Sequence, residues 1–123
     1  MKHLTVTIPI PPRGTSPNAR GHWRKKHLAN AQARADAMLC AMEASNRHRP
    51  NWGAAVCHIR WYGRDKRCLA LDPDNIVAAT KPSRDGLTDA QIWVDDRKVR
   101  IGGVTIEVDR DNPRVELVCE EAE

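Results

Sequence analysis

From Trp23 to Ser45 the chain is built mainly of Ala, Leu, Met, Lys, Arg and Gln, residues of high intrinsic helix propensity. This run is what most limits the fold, because everything around it is cut short by proline, glycine and turn residues. Leu28, Ala31, Ala35, Met38, Leu39 and Met42 follow steps of three and four and predict one apolar stripe along the helix. Before it, Thr5-Val6-Thr7-Ile8 alternates polar and apolar until Pro9, Pro11 and Pro12 intervene, which predicts a strand ending near Ile10. Residues 11–22 read as a loop. After the turn Pro50-Asn51-Trp52-Gly53, Ala54 to Tyr62 reads as a second strand with Val56, Ile59 and Trp61 inward. A helical region is expected from the Asp72-Pro73-Asp74-Asn75 segment to about Ala90, with a kink or restart at Pro82.

Two strands close the chain, Val99–Val108 and Arg114 to Cys119, with turn residues at 109–113 between them. Gly102-Gly103 inside the first of these predicts a bulge or a close backbone approach. The order β-α-β-α-β-β describes an α+β class, a single small domain over residues 1–123 with a mixed sheet packed against helices. At 123 residues the chain fits one core better than two.

Several function classes fall away. Apolar stretches are only a few residues long, so no membrane span is expected. Met1-Lys2-His3-Leu4-Thr5-Val6 lacks the apolar block of a signal peptide. Cys40, Cys57, Cys68 and Cys119 form no Cys-x-x-Cys pair, which argues for free thiols in a reducing cytoplasm rather than a zinc ribbon or a redox motif. His22 and His27 are five apart, off the helical step that would align them as ligands. Four Trp, one Tyr and no Phe are a thin supply for single-strand or RNA stacking. Trp23 and Trp52, near turns, are the candidates for stacking, whereas Trp61 and Trp93 are expected in the core.

Charge is uneven. Residues 1–50 hold nine Lys and Arg against two Asp and Glu, and residues 51–123 hold eleven against fourteen, within an overall +4. A basic half beside an acidic half suggests a polyanion surface next to a carboxylate site. Arg24, Lys25 and Lys26 open the long helix, where the helix dipole disfavours cations. An anionic partner and simple solvation both account for them.

The informative segment runs from Asp72 to Asp96. Asp72 and Asp74, two apart, point the same way in an extended stretch, and carboxylates aimed into one space repel unless a cation compensates. Oxygen ligands without sulfur or imidazole suit a hard ion, Mg²⁺ or alternatively Mn²⁺. Asp95-Asp96 offers a second acidic pair. An EF-hand fails, since its third ligand position is Ile76 and its glycine position is Val77. The other reading is that Asp72 or Asp74 caps the following helix. Lys81 lies two helical turns after Asp74, and Asp85 on roughly the same face if the helix is continuous. A lysine there forms a salt bridge, or it neutralises charge developing on a phosphate.

These residues resemble a family. Asp72-Pro73-Asp74-Asn75, then Lys81-Pro82-Ser83-Arg84-Asp85-Gly86-Leu87, then Trp93-Val94-Asp95-Asp96 are similar to the pattern of the RusA-type crossover junction endodeoxyribonucleases, small enzymes common in phages and prophages. Pro11-Pro12 and Ser16-Pro17-Asn18, with Arg20, His22 and Trp23, resemble the family's opening. In the shorter members the lysine stands three residues after the Asn, which is Ala78 here, so the alignment on Asp-x-Leu carries a three-residue insertion before Lys81. The resemblance implies an Mg²⁺-dependent homodimer that resolves four-way (Holliday) DNA junctions by paired symmetrical nicks, in recombination and repair. Asp72, Asp74 and Asp96 would hold the metal, Asp95 would ligate or support, and Lys81 would be the catalytic lysine. No organic cofactor is implied. DNA binding would fall to Arg20, Arg24, Lys25, Lys26 and Arg34, with Arg64, Lys66 and Arg67. The alternatives are a metal nuclease on other branched DNA and a non-catalytic DNA-binding accessory protein.

Overall fold

In the first strand, β1 (His3–Ile8), Leu4, Val6 and Ile8 are buried while His3, Thr5 and Thr7 are exposed, the period-two signature of a sheet covered on one face. The computed structural model describes residues 1–12 and 23–123. Ser16, Pro17, Asn18, Arg20 and His22 lie outside the described residues. After β1 come helix α1 (Trp23–Ala44), β2 (Ala55–Gly63), helices α2 (Pro73–Ala79) and α3 (Lys81–Asp89), β3 (Val99–Val108) and β4 (Arg114–Glu121). Single 3₁₀ turns cover Lys66–Ala70 and Asp96–Lys98.

The four strands form one mixed sheet in the order β1-β4-β2-β3. β4 pairs antiparallel with β1 and β2, and β3 runs parallel to β2. A parallel neighbour needs a crossover, which the segment carrying α2 and α3 supplies. This is the expected α+β domain with a mixed sheet, its order β-α-β-α-α-β-β. The second helical region divides at Thr80. Pro82, inside a continuous helix, would lack the N–H for the carbonyl of Ala78 and press its ring on that turn. Instead it stands in the first turn of α3, where no donor is required. The Val77 carbonyl at the break accepts from the Thr80 hydroxyl at 3.1 Å and from the Arg84 guanidinium at 2.7 Å.

One face of the sheet carries the core. Val6, Ile59, Val115 and Leu117 are wholly buried, and Leu87, Ile92 and Trp93 pack among them. Cys57 and Cys119 face each other across β2 and β4 as buried free thiols, their sulfurs 3.8 Å apart. The β2–β3 register steps from Cys57↔Ile101 to Ile59↔Val104, so Gly102-Gly103 forms the expected bulge. A Cβ on Gly102 would collide with the His58 ring.

Two expectations are corrected. The buried face of α1 is Ala33, Ala37 and Ala41, not the stripe of larger residues. Met38 and Met42 are partly buried, but Ala31 and Ala35 are exposed and Leu28 and Leu39 are 66% and 60% exposed. The reason is how closely α1 approaches α3. Gly86 packs directly on the α1 backbone, where a Cβ would come within 2.9 Å of Met38 N and 3.0 Å of Ala37 Cβ. Only small residues fit such a contact, so bulk is displaced to the far side. Trp52, expected as a stacking surface, is instead a core residue. It is 2% exposed, bridges to Trp93, and donates its indole N–H to the Met1 carbonyl at 3.1 Å.

Candidate functional site

The predicted site residues stand at the heads of α2 and α3 and in the 3₁₀ turn before β3. Asp72 precedes α2 in an extended conformation (φ −78°, ψ 125°) and its Oδ1 accepts the Asp74 N–H at 2.8 Å. The capping reading is therefore correct for Asp72, and it occupies only one of the two carboxylate oxygens. Asp74 stands exposed in the first turn of the same helix, where the positive end of the dipole favours it. Among the described residues it has no side-chain partner.

Lys81 opens α3. Its Nζ donates to Asp85 Oδ1 at 2.6 Å, one turn on, and to Asp96 Oδ2 at 2.7 Å, where the chain returns before β3. Partial burial alone would lower the Lys81 pKa, but the hydrogen bonds it donates to Asp85 and Asp96 outweigh it and hold the ammonium above its ordinary value. Lys81 is thus a fixed positive charge at neutral pH. The expected common face with Asp74 required a continuous helix. The break at Thr80 removes that argument, and Asp96 is the partner that the fold brings to Lys81 from a distance.

Asp95 is differently employed. It caps the 3₁₀ turn by accepting the Arg97 N–H at 2.9 Å, and the Arg97 guanidinium grips both its oxygens at 2.9 to 3.2 Å by the same fork that Arg67 uses on Asp65. Arg97 pulls the Asp95 pKa down to about 2, so Asp95 supports the turn that aims Asp96.

Asp72, Asp74 and Asp96 form an all-oxygen donor set, the chemistry of a hard dication, and Mg²⁺ takes as few as one or two carboxylates while keeping its waters. Among the described residues, no three His, Cys, Asp or Glu side chains are gathered as a metal-holding group. Asp96 is engaged with Lys81 and Asp72 with the cap, so the three carboxylates match such an ion in donor type alone and are not gathered around one point.

The basic residues separate into committed and uncommitted charges. Arg34 on α1 grips Asp89 on α3 through Nε at 2.6 Å and Nη2 at 2.8 Å, which raises its already high pKa and ties the two helices together. Arg67 is likewise held by Asp65. Lys25, Lys26, Arg64 and Lys66 are exposed, and Arg24 lies over the Trp23 ring at 5.5 Å. Arg20 lies outside the described residues.

Two features escaped the sequence reading. Arg84 is partly buried, and burial pulls its pKa down against the opposing influence of Cys57, Asp85 and Asp96. A cavity of about 470 Å³ opens between α1 and the head of α3. Neither has a signal in local spacing, since both depend on which helices meet.

No family model matches this chain. A protein of Xylella fastidiosa (strain Temecula1 / ATCC 700964), described as an uncharacterized protein, is 41% identical to it over 96 residues. That stretch covers 76% of this chain and 61% of the relative, so the chain spans about three fifths of the relative's length. No described helix is long and apolar enough to cross a membrane.

Proposed function

We propose that this protein is a RusA-type, Mg²⁺-dependent endodeoxyribonuclease of phage or prophage origin that resolves four-way DNA junctions in the cytoplasm during recombination and repair. The observation that carries this reading is the position of Lys81. Its ammonium is held by Asp85 and Asp96, and Asp72-Pro73-Asp74-Asn75 stands at the head of the preceding helix. A bound ion would polarise the scissile phosphate and lower the pKa of its water. Asp74 and the open oxygens of Asp72 and Asp96 are the side chains to hold it, with Mn²⁺ as the alternative. Lys81, fixed and charged, is suited to stabilise negative charge on the reacting phosphate. Carboxylates repel DNA, so affinity falls to the exposed cations of α1 and of the segment after β2. A two-fold homodimer would present two such sites to equivalent strands of a junction.

The test is nicking of a synthetic four-way junction. Asp74→Asn abolishes cleavage while binding is kept or tightened, because one negative charge near the phosphates is removed. Continued cutting by that variant with Mg²⁺ would refute the assignment. A second reading, a DNA-binding accessory protein without catalysis, is favoured by the ion pairing of Lys81 with both Asp85 and Asp96. Junction binding with no cleavage at any Mg²⁺ or Mn²⁺ concentration selects it. Cleavage of flaps or three-way branches but not four-way junctions selects a nuclease for other branched DNA.

A further inference from the structure

The cavity of about 470 Å³ beside Lys81 lies within the range of small-molecule sites, roughly 300–1,000 Å³, and its lining has two characters. Ala31 from α1, Ala78 from α2 and Pro82 from α3 supply an apolar wall. Lys26, Arg34 and Lys81 supply cationic donors, with Asp85 as the one carboxylate. Those donors differ in what they have left to give. Arg34 commits Nε and one Nη2 proton to Asp89, which immobilises the guanidinium and leaves its remaining N–H groups. Lys81 commits two of three protons to Asp85 and Asp96, and its single charge is outweighed by those two carboxylates. Lys26 has no carboxylate within ion-pairing distance among the described residues, so it is the unneutralised charge at the cavity.

Asn30 adds a polar group without a partner. Its side-chain oxygen is buried and accepts no hydrogen bond. An unsatisfied amide of this kind is unfavourable, and rotation about its last side-chain bond can present either its donor or its acceptor end to the cavity.

We propose that this cavity receives one unpaired nucleotide of the bound DNA, with its phosphate on Lys26 and the outer edge of Arg34. The sugar and base lie against Ala31, Ala78 and Pro82, with Asn30 meeting the base edge. An inorganic anion alone would leave the apolar wall unmatched, whereas a nucleotide satisfies both characters. A cleft between two helices admits a base only when it is out of its stack, which is least costly where the base is already unpaired. The inference rests on the nuclease reading, and it would make the cavity the element that prefers branch points over continuous duplex.

The full-length protein, in EDTA, is titrated with each of the four deoxynucleoside 5′-monophosphates and with inorganic phosphate, followed by amide NMR shifts. The expected result is saturable binding of at least one nucleotide about tenfold or more tighter than phosphate, with shifts centred on residues 26–34 and 78–85. Lys26→Ala should weaken it by about tenfold, and Asn30→Ala should level the preference among the four bases. Ala31→Trp, which fills the cavity from the exposed side of α1, should abolish binding with the far-UV spectrum unchanged. No saturation, equal affinity for phosphate and nucleotides, or indifference to Lys26→Ala and Ala31→Trp would overturn the proposal. Junction nicking is measured in parallel. Nicking without nucleotide binding overturns the cavity and spares the nuclease, while nucleotide binding without nicking supports the cavity and overturns only the nuclease reading.

Discussion

Lys81 and Asp96, fifteen residues apart, meet at 2.7 Å between Nζ and Oδ2, and the same ammonium holds Asp85 at 2.6 Å. A lysine held above its ordinary pKa contributes stability that is complete below its unfolded value of about 10.4. That contribution is lost only as pH rises through the higher folded value. Lys81 therefore stays charged through neutral and mildly alkaline pH. The pH–rate profile of nicking should have the same shape in the wild type and Lys81→Arg between about pH 7 and 9. An alkaline fall that moves upward in Lys81→Arg would show that Lys81 titrates in that window.

The Arg34–Asp89 pair joins α1 to α3, and Arg34 lowers the Asp89 pKa. Because the Asp89 pKa is depressed on folding, its stabilisation is present above the unfolded value of about 3.9 and is lost as pH falls through the folded value. The side chains are 51% and 32% exposed, so solvent screening limits the contribution. Asp89→Asn should lower urea-unfolding stability by about 0.5–1 kcal/mol at pH 7, and the deficit should shrink as pH falls from the unfolded value through the folded one. A deficit that persists unchanged in acid would show that the pair does not stabilise through charge.

Gly86→Ala gains helix propensity of about 1 kcal/mol, yet its Cβ would meet Met38 N at 2.9 Å and Ala37 Cβ at 3.0 Å. The main-chain neighbour on α1 cannot rotate away, so overpacking wins. The variant should be destabilised by about 1–3 kcal/mol in chemical denaturation. A more stable variant would mean that α1 and α3 sit farther apart than described.

Lys25 and Lys26 are exposed in the first turn of α1. If both contact phosphates, replacing them with Ala should weaken junction binding. It should also reduce the slope of log K against log salt by about 2. An unchanged slope would remove them from the DNA surface.

How much was legible from the residues varied with the range of the interaction. The restart at Pro82 and the Gly102-Gly103 bulge follow from backbone chemistry and stand where the spacing put them. The face of α1 did not. Leu28 and Leu39 look like core by periodicity, but α3 comes so near that alanines take the contact and the leucines remain outside. The site divides the same way. Asp72 as a helix cap can be read from Asp72-Pro73-Asp74, since its hydrogen bond spans two residues. The division of labour between Asp95 and Asp96 is not visible in two adjacent identical residues. It appears once Arg97 claims one and Lys81 the other.

The amino-acid order by itself determined the strands, helices and turns, because propensity, proline geometry and capping act over a few residues. Only the tertiary structure decided that β3 lies parallel to β2, that Lys81 reaches Asp96, and that a cavity opens beside Arg34. Those outcomes depend on how closely separate elements can approach, and that distance is set by packing between side chains far apart in the chain.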